Sequence, residues 1–171
     1  MSPDLHLAHR LADRGADPQR AVGDFDHPRD DPGDADYLLV GIDGYLDRRT
    51  GYAFGVTAAG VRSEYFHGSD SEYDRDDSFD PVWQAKTWIG DDRWTAEMRI
   101  PFKTLSLNPN TTDWGINFER AIQRVGETIG WVSRNRQLNP GVAGTASGFE
   151  GVQQGRGLDI VPSMTVRSAQ T

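Results

Sequence analysis

Apolar positions along the chain fall into short runs, and most of the runs alternate. "YLLVGID" (37–43) is an apolar run of strand length, and "GYAFGVTA" (51–58) sets Tyr52, Phe54 and Val56 on one side. "VRSEYF" (61–66) follows Ala59-Gly60, a tight-turn signal. "WQAKTWI" (83–89) places Trp83, Ala85, Thr87 and Ile89 on one face and Gln84, Lys86 and Trp88 on the other. After the "GDD" turn (90–92), "RWTAEMRIP" (93–101) puts Trp94, Ala96, Met98 and Ile100 inward and Thr95, Glu97 and Arg99 outward. "DWGINFERA" (113–121) repeats the scheme with Trp114, Ile116 and Phe118 inward, and "TIGWVSR" (128–134) and "LDIVPSMTV" (158–166) complete the set. Successive strand side chains point to opposite faces, so a period of two marks half-buried strands. Many short strands with turn chemistry between them predict an all-β protein: an antiparallel β-sandwich or barrel with one solvated face per sheet.

The remaining stretches are less regular. Leu5, Leu7 and Leu11 of "LHLAHRLA" (5–12) fit a strand, while Leu7 and Leu11 also fit a helix. "GDFDHPRDDPGDAD" (23–36) reads as a solvated loop, and "LNPGVAGTASGFEGVQQGRG" (138–157) is loop-like. "PFKTLSL" (101–107) has room for one helical turn. In "DGYLDRRTGYAFGV" (43–56), Asp43, Asp47, Arg48 and Arg49 lie at the turn of a hairpin that returns through Tyr52. Gly44 and Gly51 are read as permissive backbone at its two ends. The carboxylates can offset the two arginines, so a turn is favoured over a ligand grip.

Composition narrows the function classes. The 171 residues make about one domain, and the net charge is −8. Such a field disfavours nucleic acid, which needs a basic footprint, and an anionic membrane surface, while neutral partners such as sugars are not penalised. No apolar run approaches the ~20 residues of a membrane helix. There is no cysteine, which removes disulfides and thiolate metal sites.

Candidate chemistry is sparse. His6 and His9 lie three apart, His27 and His67 stand alone, and surface histidines are favoured over a metal site. In "SDSEYDRDDSFDP" (69–81), Asp70, Glu72, Asp74 and Asp76 recur at alternate positions, but the calcium-loop spacing is missing and a solvated loop is favoured. No Gly-x-Ser-x-Gly element or phosphate cradle is present. Glu97 and Glu119 both point outward in the alternation, as a glycosidase pair or as parts of a cross-strand charge ladder with Arg99, Arg120 and Arg124; the ladder is favoured. Trp83, Trp94 and Trp114 read as core. Trp88 is outward, between Gln84, Lys86 and the turn, and suits either stacking on a pyranose or packing under a loop. Trp131 and Tyr45 are weaker candidates for the same role.

Three stretches in order, "VGIDGYLDRRTGYAFGVTAAGV" (40–61), "WQAKTWIGDDRWTAEMRIPFKTL" (83–105) and "WGINFERAIQR" (114–124), resemble the family 9 carbohydrate-binding module. In particular they resemble the diverged version that precedes an outer-membrane β-barrel in large proteins of unknown function. The likeness spans roughly residues 5 to 166. It implies an antiparallel sandwich that binds sugars without catalysis, a periplasmic or envelope location, a link to carbohydrate catabolism through attached domains, and a strand at 5–12. It also implies that some members bind calcium, though no ligands map here. By this likeness residues 1–157 form an N-terminally incomplete module and 158–171 a trailing strand toward a barrel, so the chain reads as a fragment whose unpaired sheet edge invites self-association.

The resemblance implies a sugar site of two tryptophans, a glutamate, an arginine and an asparagine. Those positions are Gly33 for one tryptophan, Leu39 for the glutamate, Gly55 for the arginine and Thr57 for the asparagine, with the other tryptophan in the loop around 136–147, which has none. Only a polar position at Glu119 is loosely kept. The expected glycan face is therefore a different one: Trp88 for stacking, with Gln84, Lys86, Glu97 and Arg99 for hydroxyls, and Glu119 as a further candidate. A structural or interaction domain is the second reading, and a glycoside hydrolase using Glu97 and Glu119 the third.

Overall fold

The computed structural model describes residues 4–12, 35–69, 71, 74–91, 93–131 and 138–152. The strands are β1 (Asp4–Ala12), β2 (Tyr37–Asp43), β3 (Gly51–Thr57), β4 (Arg62–His67), β5 (Arg75–Asp76), β6 (Gln84–Ile89), β7 (Arg93–Pro101), β8 (Asp113–Ile122), β9 (Glu127–Gly130) and β10 (Gly144–Ser147). They form two antiparallel sheets. The smaller has the order β1-β7-β6; the larger runs β10-β8-β2-β3-β4-β5, with β9 also paired to β8. This is the antiparallel sandwich the alternation predicts. The stretch 5–12 is a strand, and one 3-10 turn at Phe102–Thr104 follows β7 as expected.

The inward residues meet between the sheets. Leu38, Val40 and Ile42 of β2, Phe54 and Val56 of β3 and Trp114 of β8 pack with Trp94, Ala96, Met98 and Ile100 of β7 and with Trp83. Phe54 meets Trp83 edge-on at 5.3 Å, and Trp114 stacks on Phe149 at 3.9 Å. The three tryptophans expected in the core are there, each at most 2% exposed.

Four expectations need correction. The stretch 138–157 is not all loop: a 3-10 turn (Pro140–Val142) leads into β10, which pairs with Trp114 through its Ala146. The acidic stretch contributes a short strand, β5, on the edge of the larger sheet. The larger sheet also lacks a solvated outer face. There Leu39, Ala53, Tyr65 and Leu138 form a second apolar cluster, and Glu119 and His67 are buried with them. Small residues at Gly41, Ala53 and Gly55 break the alternation but let the segment at Leu138 lie directly on the sheet; a Cβ at Gly41 would sit 3.1 Å from Leu138 Cγ. His67, read as a surface residue, packs edge-on against Tyr65 at 5.1 Å. The segments 13–34 and 158–166 lie outside the described residues.

The hairpin between β2 and β3 forms with Ile42 opposite Tyr52. Its chemistry differs from the expected ion pairs. Asp43 is buried, and its Oδ1 accepts from the N–H groups of Tyr45 (3.1 Å) and Asp47 (3.3 Å) while Oδ2 accepts from Arg48 N–H (2.9 Å). Asp47 likewise accepts from the N–H groups of Arg49 and Thr50, both at 2.8 Å. The carboxylates thus hold the backbone of the turn. The left-handed positions are Leu46 (φ 53°) and Arg48 (φ 60°), not the glycines. Gly44 is needed for close approach: a Cβ there would lie 2.5 Å from Leu107 Cδ2 and 2.7 Å from Ser106 O. The Tyr52 hydroxyl accepts from Ser106 N–H at 3.1 Å, which ties the returning strand to the same segment.

Candidate functional site

The outer face of the smaller sheet is built by alternation on three strands. Because β6 pairs with β7 and β7 with β1, polar side chains line up in rows: Gln84–Arg99–His6, then Lys86–Glu97–Ala8, then Trp88–Thr95. Their inward neighbours, Ala85, Met98 and Leu7, anchor the same strands to the core. Gln84, Lys86, Glu97 and Arg99 are exposed, and Trp88 is 62% exposed, so all five share one solvated surface. A shallow groove of about 380 Å³ crosses it, bordered by His6, Gln84, Lys86, Glu97 and Arg99.

Two details fix this surface. The Trp88 ring lies over Gly90; a Cβ there would be 2.5 Å from Cζ3 and closer still to Cη2. Arg99 is held by Asp4, with Nη2 and Nε at 2.6 and 2.7 Å from Oδ2. Lys86 and Glu97 stand directly opposite each other across β6 and β7. The face therefore offers an exposed aromatic ring beside hydrogen-bonding groups of both signs, which can stack on the apolar face of a ring and bond its hydroxyls.

Glu119 does not join these residues. It projects from β8 on the outer face of the larger sheet, 9% exposed, and accepts from the Tyr37 hydroxyl at 2.7 Å. Burial pushes its carboxyl above the usual glutamate range, partly offset by the Tyr37 bond. Burial likewise raises the Tyr37 phenol, and the bond to Glu119 adds to it. Tyr65 beside them is raised by burial, against the pull of the Arg75 guanidinium 4.0 Å over its ring. Glu97 and Glu119 thus lie on opposite outer surfaces of the sandwich. Both sheets, which stack about 10 Å apart, lie between them, so they cannot flank one glycosidic bond across the roughly 5–9.5 Å that the reaction needs. Nor do the two share one charge ladder: Glu97 stands opposite Lys86, and Glu119 bonds Tyr37.

The positions that the resemblance assigns to a sugar site come together but with altered chemistry. Leu39 pairs with Glu119 on one side and with Gly55 on the other, and Gly55 with Ser63, which makes one row across the larger sheet. Thr57 lies one row away beside Tyr37. A Cβ at Gly55 would already be 2.8 Å from Leu39 Cδ1 and in collision with Ser63 Oγ. An arginine has no room there. Gly33 lies outside the described residues.

The other motif residues are structural. Arg48 Nη2 donates to Thr145 Oγ1 at 2.7 Å and so ties the hairpin to β10. Burial raises the Asp43 carboxyl and the Asp47 charge adds to this, against the N–H bonds from Arg48 and Asp47. For Asp47 the balance reverses: burial raises it, but the bonds from Thr50 and Arg49 outweigh this and leave it below its usual value. Among the described residues no group of three or more His, Cys, Asp or Glu is placed to hold a metal, and no helix is long and apolar enough to cross a membrane.

Sequence reasoning did not foresee an apolar slot between the sheets. It has a volume of about 390 Å³ and is lined by Leu7, Leu38, Val40, Met98, Phe118 and Trp131. Trp131, 60% exposed, stands 5.5 Å from Phe118. The slot adjoins β1, which is an edge strand among the described residues. The half-buried Leu7 and the exposed Trp131 were its only sequence signals.

No family model matches the sequence, and no curated protein matches it. Solved structures do. A family 9 carbohydrate-binding module from Caldicellulosiruptor kristjanssonii in complex with glucose matches 84% of this chain and 70% of its own, with a TM-score of 0.56 at 17% identity. The cellotriose complex of a family 9 module from the same organism matches 84% and 68%, with a TM-score of 0.51 at 16% identity. The chain has the sandwich fold of these modules. At this identity the likeness carries fold alone.

Proposed function

We propose that this chain is a non-catalytic, carbohydrate-binding-module-like domain whose ligand face is the outer surface of the smaller sheet. The observation that carries the proposal is Trp88: a large aromatic ring, 62% exposed, held over Gly90 on an otherwise polar strand face. An exposed tryptophan ring among polar side chains can pack on the apolar face of a sugar ring while its neighbours bond the hydroxyls. Its neighbours Gln84, Lys86, Glu97 and Arg99 supply donors and acceptors for hydroxyls. The likeness of the fold to modules solved with glucose and with cellotriose supports the same class of ligand. Titration of soluble glycans tests it. Binding that Trp88→Ala abolishes is expected, and binding that ignores Trp88 overturns the site.

In the same proposal residues 1–157 are the module and 158–171 lead into a further part of a larger envelope protein concerned with carbohydrate catabolism. That context rests on the sequence resemblance. Fractionation of cells carrying the full-length gene checks it: the protein is expected in the envelope, and a cytosolic pool alone contradicts it.

A second reading is favoured by one specific observation. The apolar slot beside the edge of β1 suits strand addition, in which backbone groups pair and alternate side chains fill pockets. Under that reading the domain is a structural or interaction unit that binds a protein strand or associates with itself.

A further inference from the structure

We infer that the Trp88 face takes a neutral glycan chain laid along β6 and β7, rather than a single sugar ring. This rests on the functional reading above and adds the form of the ligand. The register sets the three rows of the face two residues apart, so Trp88 and Gln84 are four residues apart on one strand, about 13 Å at ~3.3 Å per residue. One ring seated on Trp88 does not reach the Gln84–Arg99 row. A chain does, and a groove crosses the two rows beyond Trp88, bordered by Lys86, Glu97, Gln84, Arg99 and His6.

The charges give the chemical class. Lys86 stands opposite Glu97, and Arg99 is paired with Asp4, so among the described side chains of the track neither sign dominates. Such a track suits the hydroxyls of an uncharged chain better than a polyuronate or a sulfated glycan. Gly90 acts as a positioning residue. Its missing side chain is what allows the Trp88 ring to lie where it does, at the end of the track.

The test is calorimetric titration of the whole chain with cello-, xylo- and manno-oligosaccharides of one, three and six residues. At least one series is expected to bind, with affinity rising about tenfold or more from one ring to six. Trp88→Ala is expected to lose binding at every length. Gln84→Ala and Lys86→Ala are expected to weaken only the longer ligands by several fold. Gly90→Ala is expected to weaken all lengths and to shift the near-ultraviolet signal of Trp88 while the melting temperature holds. Equal affinity for the single sugar and the hexamer, or long ligands that ignore Gln84 and Lys86, overturns the inference and leaves the functional reading standing. Preference for polygalacturonate over every neutral series overturns the neutral class. Absence of binding in all three series and to polygalacturonate removes the functional reading, and the inference with it.

Discussion

Single carboxylates hold two distant parts of this molecule. Asp43 accepts three backbone N–H groups of the hairpin turn while the chain passes through left-handed φ at Leu46 and Arg48. Asp43→Ala leaves those part-buried donors without their acceptor, and a loss of about 1–3 kcal/mol in denaturant unfolding is expected, with Asp43→Asn costing less. Glu64, 1% exposed, accepts from Trp83 Nε1 at 2.9 Å inside the core. Trp83→Phe removes that donor and some packing, so a loss of about 2–4 kcal/mol is expected, and unchanged stability would mean that Glu64 has been satisfied elsewhere. The motif at Asp43–Tyr52 was legible in the sequence as a hairpin. The job of each carboxylate was not, because spacing shows that Asp and Arg are near each other but not which atoms of the turn they reach. Trp83 was legible as core; its buried partner Glu64 was not, since a carboxylate on an inward position runs against the apolar alternation.

Strands and their inward faces were largely legible because the period of two is local. β2, β7 and β8 fall where the pattern places them, and Trp88, Gln84, Lys86, Glu97 and Arg99 come out on one face because β6 and β7 are neighbours with fixed register. What covers an outer face is set by distant segments, and the pattern is silent there. The outer row of the larger sheet, Glu119–Leu39–Gly55–Ser63, was expected in solvent at Glu119 and is buried instead, with Leu39 packed in one cluster with Leu138. That burial has a pH signature. With the folded carboxyl of Glu119 raised above its unfolded value, the folded state holds the proton longer, so ionisation costs stability as pH rises from about 4.3 through the raised value. Glu119→Gln keeps an acceptor for Tyr37 and removes the ionisation. The melting temperature of the wild type relative to Glu119→Gln is expected to fall as pH rises across that window; a constant difference would mean that the carboxyl is solvated.

At the scale of the whole molecule the two sheets are unequal, three strands against seven among the described residues. The smaller sheet leaves part of the larger sheet's inner face to the apolar slot beside β1. Among the described residues an edge strand lies next to an uncovered apolar surface, which favours association, so sedimentation velocity is expected to show oligomers growing with concentration, and a monomer throughout would remove self-association by strand addition. The smaller sheet also turns its one large exposed ring, Trp88, to solvent. Trp88 contributes little to the core, so Trp88→Ala is expected to change unfolding stability by no more than ~0.5 kcal/mol. That separates its role in binding from any role in folding. Trp88 decides the proposed ligand face, and the direct measurement is side-by-side calorimetric titration of the wild type and Trp88→Ala with soluble neutral oligosaccharides. Binding by the wild type that falls at least about tenfold in the folded variant is the predicted result. Equal binding by the two proteins, or none by either, would contradict it.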